Sequence, residues 1–439
     1  MSRHLKFGVF LLPSGQHTSA WRLPEARPGA GVDFPYIVDL ARRCEDAKLD
    51  FIFLADVDGL VQHDWEAVSR DAAAFQFEPM TLLSALAATT SRIGLVGSVS
   101  TEYNQPYHVA RKFSSLETIS GGRAGWNIVT SVWPHVAANF GKDDHRVHDD
   151  RYQRAEEFIE VVTGLWDSWG DGAIVNDKDS GRFIDIGKLH VLDHDGRFFA
   201  SSGPLTLPRS PQGHPVLVQA GSSEPGRELA AASAEVIFTA QNDIEMAREF
   251  YADVKARLAR HGRAPDSLKV MPGMMPIVGR TAEEAQAKFD RLAAFLDPAL
   301  ALSYVSRFTD TDLTGVGLDD PLPDIGAIDG HTSRKNLIVR KARERNMTLR
   351  QVYEWFAVSR GHFLSVGTPG QIADDLEQWF SAGAADGFNL LFANLPADLD
   401  DFAELVLPEL VRRGLFRTDY EGTTLRETLG LARPENRFE

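Results

Sequence analysis

The sequence predicts an α/β fold, a (β/α)8 TIM barrel enlarged by insertion segments. Three observations lead there. Eight short apolar runs of strand length recur along the 439 residues, with helical spacing between them. The runs are continuously apolar, the pattern of parallel strands covered on both faces. Eight β/α units occupy about 250 residues, so the length leaves room for two long stretches that break the rhythm. A doubly wound open sheet is the alternative, but no G-x-G-x-x-G turn follows the first run to support it.

Residues 6–12 form the first run, closed by Pro13, Ser14 and Gly15, and a polar loop extends to about residue 26. Helical spacing over 33–48 precedes the second run, FIFLAD at 51–56, which ends in a carboxylate. A helix near 79–90 leads to the third run, 93–101, and a helix at 105–120 to the fourth, 123–131. On the fourth, alternation sets Ala124, Trp126, Ile128 and Thr130 against Gly125, Asn127, Val129 and Ser131. A polar loop and a helix at 152–170 follow, and then residues 171–214, rich in Asp, Gly, His and Pro, read as an insertion. The rhythm resumes with strands at 215–221 and 236–240 around a helix at 224–233. A helix at 243–261, a strand at 268–279 and a helix at 281–296 come next. The second insertion spans about 299–365, and the two insertions are the natural candidates for a lid. Residues 388–395 are the eighth strand, and a helix at 399–414 precedes an extended tail, 415–439, expected to pack on a neighbour or another subunit. The chain, 1–439, is expected to form a single domain.

Composition narrows the function classes. Lys and Arg number 46 against 62 Asp and Glu, a net charge of −16 that argues against a nucleic-acid binder but allows a local basic pocket. The single cysteine, Cys44, can form neither an intramolecular disulfide nor a thiolate metal cluster. The N-terminal apolar run is too short for a signal peptide and no stretch reaches the length of a membrane span, so the expected compartment is the cytoplasm.

Several groups could carry chemistry. The turn Gly221-Ser222-Ser223 follows a strand and opens a helix, so it can cradle an anion or simply cap the helix. Asp56 ends a strand on the side where barrel sites form; Ser98 and Thr101 end another. His148 and Tyr152 are four apart and share a face where the helix has already begun. His17 and His362 sit in loops and could hold or donate a proton. The Asp/His stretch 143–150 matches no zinc or calcium spacing, and no metal is expected. G-x-S-x-G, P-loop and H-E-x-x-H motifs are absent. These residues describe a barrel that binds a phosphorylated ligand and leave its chemistry open.

Longer blocks close that gap. GQHTSAWR, EPMTLLSALAATTSRIGLVGSVST, SGGRAGWNIVTS, HDDRYQRAEEFIEVV, SPQGHPVLVQAGSSEPGRELAAASAEVIF, GTPGQIADDL and YEGTTLRETLGL stand in order along nearly the whole chain. In these blocks it resembles the bacterial-luciferase-like flavin monooxygenases, in the branch of the nitrilotriacetate and dibenzothiophene-sulfone monooxygenases. The resemblance implies a two-component enzyme that takes reduced FMN from a separate NAD(P)H:FMN reductase. It further implies that the enzyme forms a C4a-peroxyflavin with O2 and oxygenates a small organic substrate. It places flavin contacts on Asp56, Ser98, Thr101, Asn127, His148, Tyr152, Gly221, Ser222 and Ser223, with His17 and His362 near the substrate. A homodimer or homotetramer is expected. Phe10, Trp21, Phe75 and Trp133 are the expected pocket lining, suited to a partly aromatic, apolar substrate, with Arg22 and Arg27 the only cations foreseen nearby. A deazaflavin-dependent oxidoreductase and a non-catalytic flavin-binding protein of the same fold are the alternatives.

Overall fold

The structure, a computed structural model, describes residues 4–60, 64–131, 134–141, 148–326 and 332–439. Eight parallel strands close on themselves. They are β1 (Lys6–Phe10), β2 (Phe51–Leu54), β3 (Gly94–Ser100), β4 (Ala124–Val129), β5 (Val216–Gln219), β6 (Val236–Thr239), β7 (Lys269–Val278) and, after a further strand β8 (Phe363–Gly367), β9 (Gly387–Leu390). Neighbours pair in that order, leaving β8 aside, and the register Lys6↔Gly387 seals β9 to β1. All eight expected strands are therefore barrel staves, and the sheet has no open edge at the barrel wall.

β8 was not foreseen. The ten-residue β7 pairs through its first half with β6, and Met274–Val278 run on past the barrel to pair with β8. The second insertion, expected to reach residue 365, thus takes in the first residues of a strand that extends the sheet beyond the wall.

The helices of nine residues or more among the described residues are α1 (Phe34–Asp46), α2 (Pro79–Ala87), α3 (Pro106–Ser120), α4 (His148–Trp166), α5 (Glu224–Ser233), α6 (Ile244–Leu258), α7 (Ala282–Ala294), α8 (Pro298–Thr309), α9 (Thr332–Glu344), α10 (Leu349–Ser359) and α11 (Pro369–Ser381), and the helix expected at 399–414 forms as shorter pieces, Ala397–Asp401 and Leu407–Arg412, joined by a π turn. Their starts obey local chemistry. Asp33 caps α1 by accepting from the Tyr36 N–H, and Thr348 and Thr368 form capping boxes with Gln351 and Gln371. Trp126 points outward from β4, fully buried between barrel and helices, with Phe113, Phe158 and Trp166 at ring-centroid distances of 5.9, 5.8 and 6.2 Å. The alternation read on the fourth strand is the one that forms.

Inside the barrel Phe51, Phe53, Val96, Val216, Val218, Val236 and Met271 make a core completed by Leu425, Leu429 and Leu431. These three come from the tail. It was expected on a neighbour, yet its short helix Leu425–Leu429 packs against this chain's own barrel. Arg426 fastens it, donating to both Glu235 carboxylate oxygens and to the Gln212, His214 and Ala432 carbonyls. Of the insertions, 171–214 carries two small hairpins, and the second builds a helical layer of α8, α9 and α10 with its own core around Tyr304, Phe308, Ile338 and Phe356. No helix among the described residues is long and apolar enough to cross a membrane.

Candidate active site

A cavity of about 710 Å3 opens at the C-terminal ends of the strands, where Phe10, Ala55, Ala220, Phe238 and Leu391 meet. Its far wall comes from the second insertion, which contributes Tyr304, Arg307, Phe308, Arg334, Arg360 and His362. This is the barrel face on which function is built.

Asp56 lies where the end of β2 predicts, in the cavity wall. One carboxylate oxygen accepts from the Val57 and Asp58 N–H groups at 2.8 and 3.2 Å. Burial, against those two bonds, raises its pKa. Asp58 beside it is pushed up to about 6, first by burial and then by the charges of Asp56 and Glu78.

The Gly221-Ser222-Ser223 turn satisfies both of its sequence readings. Ser223 caps α5, accepting from the Gly226 N–H at 3.3 Å, while Ser222 lines the cavity with its hydroxyl 3.1 Å from that of Thr239. Tyr152 reaches the same turn, its hydroxyl 3.1 Å from Ser223 Oγ. A Cβ on Gly221 would meet the Gln219 amide and press on the Gly226 Cα, so a larger residue there has to displace the Gln219 side chain. Three hydroxyls over a helix N-terminus suit a phosphate monoester. The side chain of His148 lies outside the described residues.

Ser98, Asn127 and Thr101 are almost wholly buried. Asn127 donates to Ser98 Oγ at 2.7 Å, and Ser98 donates to the Leu54 carbonyl at 2.9 Å. Asn127 Oδ1 is buried without a partner, an acceptor that a ligand N–H or O–H would satisfy. Thr101 donates to the Val129 carbonyl at 3.3 Å, so its hydroxyl is engaged in the loop.

The two histidines differ. His362 lines the cavity, its ring stacked on Phe238 at 5.3 Å and its Nε2 2.9 Å from Arg334 Nη2. A guanidinium only donates, so Nε2 accepts and the ring is neutral with its proton on Nδ1. Burial and then the charges of Arg334 and Arg360 hold its pKa well below the ordinary value. His17 does not line the cavity; it lies fully buried behind it, with Nδ1 accepting from the Ser19 N–H at 3.2 Å. Burial, and secondarily the Arg360 charge, lower its pKa to about 4.

The expected apolar lining needs correction. Phe10 is in the wall, but Trp21 and Phe75 are exposed on the outside, at 43% and 74%, and Trp133 lies outside the described residues. Arg22 is held by the Phe295 carbonyl and Arg27 by Asp33. The cavity cations are instead Arg307, Arg334 and Arg360. A local feature marks Arg360 alone: Ser359-Arg360-Gly361-His362 is a helix C-cap, with Arg360 at φ 53° and Gly361 at φ 80°. That turn brings Arg360 and His362 into one wall.

Family comparison agrees with this geometry. Residues 5–386 match the family described as luciferase-like monooxygenase. The chain is 46% identical over 439 residues to the N-acetyl-S-(2-succino)cysteine monooxygenase of Bacillus subtilis (strain 168), covering 99% of this chain and 98% of that one. It is 47% identical over 444 residues to nitrilotriacetate monooxygenase component A of Aminobacter aminovorans, with the same coverage. The crystal structure of DmoA from Hyphomicrobium sulfonivorans superposes with a TM-score of 0.89 at 32% identity, over 97% of this chain and 92% of that one. With a closed parallel barrel, a cavity at its C-terminal mouth and relatives matched over almost their full length, the chain belongs to the luciferase-like monooxygenase family and is a monooxygenase.

Proposed function

We propose that the chain is the oxygenating component of a two-component system, working in the cytoplasm as a homodimer or homotetramer. It receives reduced FMN from a separate NAD(P)H:FMN reductase and oxygenates a small organic substrate. The observation that carries this reading is the pairing of a hydroxyl-lined helix N-terminus with a cavity of about 710 Å3 at the barrel mouth. Reduced FMN, when bound, supplies the two electrons with which one oxygen atom of O2 goes to the substrate and the other leaves as water.

The protein's own residues bind, orient and exclude water. Tyr152, Ser222 and Ser223 take the phosphate, with the Gly221 backbone close beside it and His148 from the start of α4. Asp56 has one carboxylate oxygen uncommitted to the backbone and accepts from a ring N–H or ribityl O–H. Asn127, fixed by Ser98, presents its unsatisfied Oδ1, and Thr101 holds the loop at the end of β3. Phe10, Leu12, Phe238 and Leu391 keep the chamber apolar where water would otherwise divert oxygen to peroxide. His362, neutral at pH 7, is the histidine on the substrate side of the cavity, and His17, buried behind the wall, holds the loop through the Ser19 N–H.

The test supplies a generic flavin reductase, NADH, FMN and 18O2, with candidate substrates analysed by mass spectrometry. Labelled product that needs every component is expected. Unlabelled product, or equal turnover with a deazaflavin and no oxygen, would contradict the proposal.

A further inference from the structure

Arg307, Arg334 and Arg360 reach the cavity from three helices, α8, α9 and the C-cap of α10. Two aromatic faces hold them. Arg307 lies over Tyr304 and Phe308 at 4.6 and 4.5 Å, Arg334 over Phe308 at 4.8 Å and Arg360 over Tyr304 at 4.9 Å. Stacking fixes a guanidinium plane while leaving its N–H edge available.

Among the described residues no carboxylate lies within ion-pair distance of Arg334 or Arg360. Arg334 donates to His362, and among the described residues Arg360 makes no side-chain hydrogen bond, with its Nε buried and unsatisfied. Asp71, whose charge acts on Arg307, accepts from the Tyr304 hydroxyl at 2.9 Å. Like charges gathered in a partly closed wall are unfavourable without an anion. Burial followed by the charges of Arg307 and Arg360 draws Arg334 down to about 9. Asp56, Asp58 and Glu78, from the stretch between β2 and α2, line the same cavity as the arginines of the second insertion.

We propose that Arg334 and Arg360, with Arg307 beside them, form a carboxylate-binding subsite for a substrate bearing at least two carboxylates. This rests on the oxygenating function proposed above and names the substrate class of that site. Planar guanidinium edges match carboxylate oxygens, and the acids near β2 repel the same groups, so the substrate is held in one sense. The FMN phosphate is also an anion, but the hydroxyl cradle at α5 already suits it.

The experiment titrates full-length protein calorimetrically with nitrilotriacetate and N-acetyl-S-(2-succino)cysteine, and with their methyl esters. FMN and riboflavin are titrated in parallel by flavin fluorescence. The acids should bind and the esters should not. Arg334→Gln and Arg360→Gln should weaken acid binding by about 10- to 100-fold, with partial recovery in Arg360→Lys and an unchanged ratio of FMN to riboflavin affinity. If the glutamine variants do not fold, Arg334→Lys and Arg360→Lys carry the comparison, with a smaller loss of acid binding expected. Esters binding as well as the acids, neither acid binding the wild type, or folded variants that retain full acid affinity would each overturn the proposal. Loss of FMN but not riboflavin affinity would assign the arginines to the cofactor phosphate and overturn it too. None of these readouts needs turnover, so a chain that binds the acids yet fails to incorporate 18O would refute the oxygenase reading alone.

Discussion

Asp58 sits at the cavity with a positive φ of 57° and a pKa raised to about 6, chiefly by burial. Its sign for stability follows. The folded state holds the proton more tightly than the unfolded one, so stability falls as pH rises from near 4 through 6 and then levels off. Asp58→Asn removes that cost, and asparagine tolerates the left-handed backbone at any pH. The variant's melting temperature should exceed the wild type's by more at pH 8 than at pH 4; a pH-independent difference would contradict the assignment. Residue-scale chemistry was partly legible in the sequence. Asp56 was found because a strand end fixes where its side chain goes. Arg307, Arg334 and Arg360 were not, because they converge from helices separated by up to 53 positions and nothing local marks the first two. Conversely Trp21, which looked like pocket lining, is pulled outward by its indole N–H bonding the Arg70 carbonyl at 3.1 Å.

At the scale of elements, the turn before α5 and the parallel pairing of β7 with β8 decide the site. Tyr152→Phe and Ser223→Ala each remove a hydroxyl from the anion cradle. Each should weaken FMN by about 10-fold, from the usual worth of a hydrogen bond to a charged group, with little change for riboflavin; equal losses for both flavins would place the phosphate elsewhere. Gly273 lies where β7 leaves the barrel, and a Cβ there would strike the His362 ring. Gly273→Ala should therefore displace His362 and loosen Arg334. The check is binding of a dicarboxylate, which should fall while FMN binding holds. The eight barrel strands were legible because each is a buried apolar run bounded by turn residues. β8 was not, since FLSVG is short, half-buried and lies outside the closed wall, where the barrel's strand pattern does not apply.

For the whole molecule, the tail is part of the barrel rather than an appendage. Leu425 is fully buried against β-strand side chains, so Leu425→Ala should cost about 2–5 kcal/mol in urea unfolding, by transfer plus cavity terms. A change below measurement would return the tail to the role of an interface segment. The tail's few apolar residues hid this role, because a barrel end needs only a small cluster to fill it. The second insertion likewise proves to be a wall with its own core, and it supplies the chamber's three arginines. The central claim, that this chamber directs oxygen from reduced flavin into a substrate, is tested most directly by mixing anaerobically reduced FMN and protein with oxygenated buffer. Flavin absorbance, hydrogen peroxide and product are followed with and without a dicarboxylate substrate. The account predicts that the protein slows flavin reoxidation relative to free FMN, and that substrate hastens it while product replaces peroxide. Reoxidation at the free-flavin rate, with all oxygen recovered as peroxide whatever is added, would contradict it.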